Sequence, residues 1–174
     1  MAGQAWADEV FETLKRLRIS QVGYVPDAGQ ARLIARAEAD PALRAIPLTT
    51  EEEGVGLATG AWLGGARAVL LMQSSGVGNC INMLTLAANC RAPLLMLVSM
   101  RGEWGEFNPW QVPMAQATER VLRAMSVIVH RAERAEEVAA MVEAAGRLAF
   151  SSRAQVAVLL SQRLLGAKVF VAEE

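Results

Sequence analysis

The chain has 174 residues, 53% hydrophobic and 20% charged, with 17 Lys and Arg against 18 Asp and Glu for a net charge of −1. This composition excludes a disordered chain, and a near-neutral balance without a basic block argues against nucleic acid as a partner. The length predicts a single domain over residues 1–174, large enough to bury roughly two thirds of its unfolded surface. In chain order, residues 5–18 put Val10, Leu14 and Leu17 on one helical face, 21–25 form a strand, and Pro26 to Gly29 turn into a helix through 39. A short strand is predicted over 45–48, a helix over 51–64, a strand over 68–72 and a helix over 78–89. The run 93–98 is the cleanest buried strand, and 101–113 reads as an irregular loop rich in Trp, Gly and Pro. A helix over 115–125, a strand over 126–129, a helix over 135–149 and a strand over 156–160 complete the pattern.

Apolar strands alternating with helices predict a parallel sheet covered on both faces, a three-layer α/β sandwich of about six strands. Ligands in such sheets sit at the carboxyl ends of strands, which directs attention to residues 25–30, 48–56, 73–82 and 99–113. No apolar run reaches the ~18 residues of a membrane span. Residues 1–9 lack the basic and apolar segments of a signal peptide, so a cytoplasmic protein is expected. Cys80 and Cys90, the only cysteines, are expected as reduced, buried thiols rather than a disulfide or metal site.

Three segments carry candidate chemistry. In Thr49 to Gly60, Thr50 and Glu53 have capping-box spacing, and acids in a first helical turn complement the helix dipole. Gly56, Gly60 and Gly64 then recur every four residues, each costing a helix about 1 kcal/mol relative to Ala. Such a stripe suggests close approach by a neighbouring helix or a ligand. An acid opening this helix is then expected half-buried at a contact surface, a setting that suits proton transfer. The segment Met72-Gln73-Ser74-Ser75-Gly76-Val77-Gly78-Asn79 runs from strand to helix, where backbone amides can cradle an anion. It is no dinucleotide fingerprint, because Ile81 stands at the third Gly position. In the loop from Arg101 to Gln111, two Trp beside Arg and Gln suit a lid or an interface. There Arg101 can bind an anion or pair with Glu103 or Glu106. His130, the only histidine, reads as structural or solvent-facing, which leaves little for a histidine-based mechanism.

The run Glu51-x-x-Gly54-x-x-x-Ala58-x-Gly60 resembles the glutamate helix of thiamine-diphosphate enzymes, and Gly60 sets Glu51 as the family's catalytic glutamate. The Met72 to Asn82 segment, Tyr24-Val25-Pro26-Asp27 and Arg101-Gly102-Glu103 resemble phosphonopyruvate and sulfopyruvate decarboxylases. Ser74 replaces a usual Asn, and the loop from Trp104 to Gln111 is this chain's own. The resemblance implies the pyrimidine-binding domain of a thiamine-diphosphate decarboxylase, with Glu51 exchanging a proton with N1′ of the cofactor's aminopyrimidine. It further implies that Gln73, Ser74, Ser75, Gly76 and Asn79 bind the cofactor, while Asp27, Arg101 and Gln111 bind an anionic 2-oxo acid. The family holds the diphosphate through Mg²⁺ with a G-D-G/S…N motif, which this sequence does not contain. A diphosphate-binding beta subunit carrying that motif and the Mg²⁺ is therefore expected, in a dimer or higher oligomer. Two other readings stay open: a catalytically silent homodimer with a binding role, and a nucleotide-binding oxidoreductase.

Overall fold

Side chains alternate across the central strands, and both faces of the sheet are apolar. Val69, Leu71, Leu95, Leu97, Val156 and Val158 point to one core, whereas Leu70, Met72, Met96, Val98, Ala157 and Leu159 point to the other. A computed structural model describes residues 5–167. Its six strands are β1 (Gln21–Tyr24), β2 (Arg44–Pro47), β3 (Ala68–Gln73), β4 (Leu94–Ser99), β5 (Ile128–Ala132) and β6 (Gln155–Leu160). They form one sheet in the order β2-β1-β3-β4-β6-β5, every neighbouring pair parallel.

Helices α1 (Trp6–Arg16), α2 (Ala31–Ala39) and α7 (Ala135–Ser152) cover the first face. The second face is covered by α3 (Glu51–Leu63), α4 (Ser74–Cys80), α5 (Leu84–Asn89) and α6 (Val112–Ala124), and a short α8 (Gln162–Leu165) follows β6. The expected three-layer parallel sandwich is what forms. No helix among the described residues is long and apolar enough to cross a membrane.

Three expectations are corrected. The helix expected over 78–89 starts at Ser74, directly off β3, and breaks after Cys80. It restarts where the Asn82 carbonyl accepts the Thr85 N–H at 3.1 Å and the Thr85 hydroxyl at 2.6 Å. The strand expected over 126–129 lies at Ile128–Ala132, because Ser126 adopts a left-handed conformation (φ 62°) that closes α6. His130 consequently lies within β5, partly exposed. Of the two thiols only Cys80 is buried, and desolvation pushes its pKa up to about 12; Cys90, which caps α5, is exposed.

The strand order places a switch point between β1 and β3. From β1 the chain passes to the α2 face, and from β3 to the α4 face. The two exits diverge and leave a crevice at the carboxyl ends of the strands. Gln30, fully buried, ties its floor together. Its Nε2 donates to the Met72 carbonyl at 3.0 Å and the Leu97 carbonyl at 3.1 Å.

Candidate active site

Glu51 is the first residue of α3, and only 8% of it is exposed. Thr50 before it is extended, which turns the helix away from β2. The expected capping box does not form. The Thr50 hydroxyl instead donates to Glu52, holding that carboxyl below its usual range, and Glu53 accepts the Thr49 N–H at 2.9 Å. With its two neighbours occupied at the helix end, Glu51 is the acid that turns inward. Its Oε2 accepts Asn79 Nδ2 at 2.8 Å, and its side chain lies across α4 at Gly76. A Cβ added at Gly76 would fall inside the Glu51 carboxyl group, so only glycine leaves it room. Glu51, Gly76 and Asn79 therefore form one unit.

Asp27 occupies the switch-point crevice. One carboxylate oxygen accepts the Ser99 hydroxyl, and the other accepts Gln73 Nε2 at 3.5 Å. Gln73 is oriented in turn by Ser75, whose hydroxyl donates to Gln73 Oε1 at 2.8 Å. Asp27, Gly29, Ser99 and Arg101 line a cavity of about 180 Å³ together with Leu165, Gly166 and Ala167. Ser74 is fully buried, and its hydroxyl accepts the Arg101 N–H at 3.1 Å. It acts as a strut beneath the surface. Gln111 stands apart from that cavity, and its buried Oε1 has no hydrogen-bond partner among the described residues.

The loop after β4 is built around Glu106. Arg101 donates to it from Nη2 at 2.6 Å and from Nε at 2.7 Å, and the carboxyl side chain is 3% exposed. Gly102 N–H and Asn108 N–H each donate to it at 3.1 Å, and Gln162 Nε2 donates at 2.9 Å. The paired Arg101 guanidinium, above all, holds the Glu106 pKa down to about 2. Glu103 accepts Gln162 N–H at 2.8 Å and Arg131 Nη2 at 2.6 Å, while Gln162 Oε1 accepts both Glu103 N–H and Trp104 N–H. The loop is thus pinned to β5 and to the segment after β6, yet leaves Trp110 83% exposed.

A carboxyl whose folded pKa is depressed adds stability above its ordinary pKa and loses it as pH falls through the folded value. Glu106 should therefore hold the loop in place above pH 4.5 and release it on descent toward about 2. Trp fluorescence during acid titration checks this. Glu106→Gln should abolish the transition in that window.

Asp27, Gln73, Ser75 and Arg101 are drawn together at the crevice, and Glu51, Gly76 and Asn79 form a second cluster beside it. The two clusters meet through α4, which contains Ser75, Gly76 and Asn79. Sequence reasoning missed Gln30, Gln162 and Leu165. The strand-end rule pointed to Gln162 and Leu165, had it been applied to the loop after the last strand as to the other four.

Residues 5–108 match the family described as Thiamine pyrophosphate enzyme, N-terminal TPP binding domain. Sulfopyruvate decarboxylase subunit alpha of Methanothermobacter thermautotrophicus is 38% identical over 122 residues, which cover 70% of this chain and 74% of that protein. The protein of the same name from Methanococcus maripaludis is 32% identical over 155 residues, 88% of this chain and 93% of its own length. Phosphonopyruvate decarboxylase of Streptomyces viridochromogenes is 38% identical over 101 residues, only 25% of that protein. Among solved structures, the 2-oxoglutarate:ferredoxin oxidoreductase of Magnetococcus marinus superimposes with a TM-score of 0.71 at 16% identity. That likeness covers 92% of this chain and 29% of the other, and it is one of fold. With more than half of its length matched by the family and two relatives above 30% identity, the chain belongs to the thiamine pyrophosphate enzymes, through their N-terminal TPP-binding domain.

Proposed function

We propose that this chain is the pyrimidine-binding alpha subunit of a two-subunit 2-oxo acid decarboxylase, acting on a short anionic substrate such as sulfopyruvate or phosphonopyruvate. The observation that carries the proposal is the unit formed by Glu51, Gly76 and Asn79: a buried carboxyl, fixed through one oxygen by an amide and given its space by a glycine. These residues fit the aminopyrimidine of thiamine diphosphate, whose ring nitrogen needs a carboxyl partner that exchanges a proton in a site shielded from water. Thiamine diphosphate, when bound, supplies the electron sink for loss of carbon dioxide from a 2-oxo acid. Glu51 holds or gives a proton at N1′ of the pyrimidine, using the carboxyl oxygen that Asn79 leaves available. Asn79 orients that carboxyl, and Gly76 keeps the space it swings in. Gln73 and Ser75 shape the neighbouring edge of the cofactor site, and Ser74 between them holds the Arg101 backbone from below. Asp27 and Arg101 line the cavity for the acid, where Glu106 fixes the guanidinium plane.

Two observations support a second chain, which we propose holds the diphosphate and Mg²⁺. Among the described residues a Cβ added at Gly56 or Gly60 meets nothing within 4 Å, so packing among them does not require either glycine. The relatives from both methanogens are named alpha subunits. The test is reconstitution. Purified alone with thiamine diphosphate and Mg²⁺, the chain should fold but leave sulfopyruvate and phosphonopyruvate unchanged. Supplied with the chain that co-purifies from the native source, it should decarboxylate one of them. Turnover by the chain alone, or none in the assembled complex, would overturn the reading.

A further inference from the structure

We infer that Leu165 is a specificity-determining residue, whose side chain bounds the Asp27–Arg101 cavity and limits the length of the acid admitted. This rests on the decarboxylase reading above. At about 180 Å³ the cavity is compact, well below the ~300–1,000 Å³ of pockets that take drug-sized ligands. Its two sides differ in chemistry. One is lined by Asp27, Ser99 and Arg101, and the other by Leu165, Gly166 and Ala167. A short acid can keep its charged groups on the polar side. Each added methylene must be directed against Leu165.

The constriction lies at Gly29. A Cβ built there would lie 3.0 Å from Asp27 Oδ2, 3.0 Å from Ser99 Cβ and 3.2 Å from Leu165 Cδ1. Leu165 therefore packs against Gly29 beside Asp27 and Ser99, and its side chain bounds the cavity there. The wall that carries Leu165 is anchored. Ser161 Oγ accepts Leu164 N–H at 3.2 Å, the Ser161 carbonyl accepts Leu165 N–H at 3.1 Å, and the Gln162 carbonyl accepts Gly166 N–H at 2.9 Å. Gln162 then ties this segment to Glu103 and Glu106, so Arg101 and Leu165 hold a fixed separation across the cavity.

The experiment uses the enzyme assembled with its partner chain. We would measure kcat/KM for pyruvate, 2-oxobutyrate and 2-oxovalerate, and the affinity of unreactive malonate, succinate and glutarate by calorimetry. Leu165→Ala should shift both series toward the longer members by roughly tenfold or more per methylene accommodated. Leu165→Val should shift them less in the same direction. Gly29→Ala should weaken binding throughout, since its Cβ meets Asp27 and Ser99 as well as Leu165. Leu165 is only partly buried, so the truncated variants should fold, and melting curves check that. An unchanged length preference in both Leu165 variants overturns the assignment. No decarboxylation by the assembled wild-type complex, combined with a shifted dicarboxylate series, would remove the decarboxylase reading and keep the cavity. Loss of activity in Glu51→Gln with neither series shifted would do the reverse.

Discussion

Glu51→Gln should leave the fold and the affinity for thiamine diphosphate within about tenfold, yet lower turnover of the assembled enzyme by about 10²–10⁴-fold. Gln fills the same volume and can still meet Asn79 with a flipped amide, but it cannot exchange a proton with the pyrimidine. Glu52→Gln and Glu53→Gln separate chemistry from helix capping. Glu52 is engaged by the Thr50 hydroxyl and Glu53 by the Thr49 N–H, both at the exposed start of α3. Their replacement should weaken the helix end modestly and leave turnover nearly intact. Steady-state kinetics on the three variants, with calorimetric cofactor titrations, decide the matter. Should Glu51→Gln keep wild-type turnover, the proton would have to come from another group and the mechanism would be lost.

Gly76→Ala should produce the second large effect, and by a different route. The new methyl falls on the Glu51 side chain and not on backbone, so the carboxyl can be pushed aside without unfolding α4. Replacing a helical Gly by Ala also favours the helix by up to about 1 kcal/mol. The melting temperature should therefore hold steady or rise, while turnover falls by about 10²-fold, the scale on which a 1 Å misplacement of a reacting group acts. An unimpaired Gly76→Ala enzyme would mean that Glu51 works equally well from another position.

The layers of this fold are legible because buried parallel strands announce themselves as continuous apolar runs. Leu94 to Ser99 and Gln155 to Leu160 are buried at every position, and both were found within a residue or so. Edges and junctions were harder. The β5 edge strand is only half-buried, so its pattern is weak, and the left-handed Ser126 that displaces it carries no glycine to announce it. Glu51 was picked out through its likeness to the family's glutamate-to-Gly60 spacing, although three adjacent glutamates look alike in sequence. What singles it out is contact with Gly76 and Asn79, some 25 or more residues away. Gln30 escaped for the same reason, since no local pattern encodes a hydrogen bond from Gln30 to Leu97. Gln162 and Leu165 lie beyond β6, a strand end to which the strand-end rule applies as well.

The strand order has a consequence for how the chain is made and cut. Among the described residues β5 pairs only with β6, and β6 also covers the flank of β4. Until residues 155–160 leave the ribosome, β4 presents an unpaired, wholly buried-type edge and β5 has no neighbour among the described strands. Bare apolar edges of this kind are templates for pairing between chains. A fragment ending near residue 108, where the family match stops, would keep Glu51 and Asp27 but expose that edge permanently. It should aggregate rather than report on the site, so truncation is a poor route to dissecting this protein and point substitution the sound one.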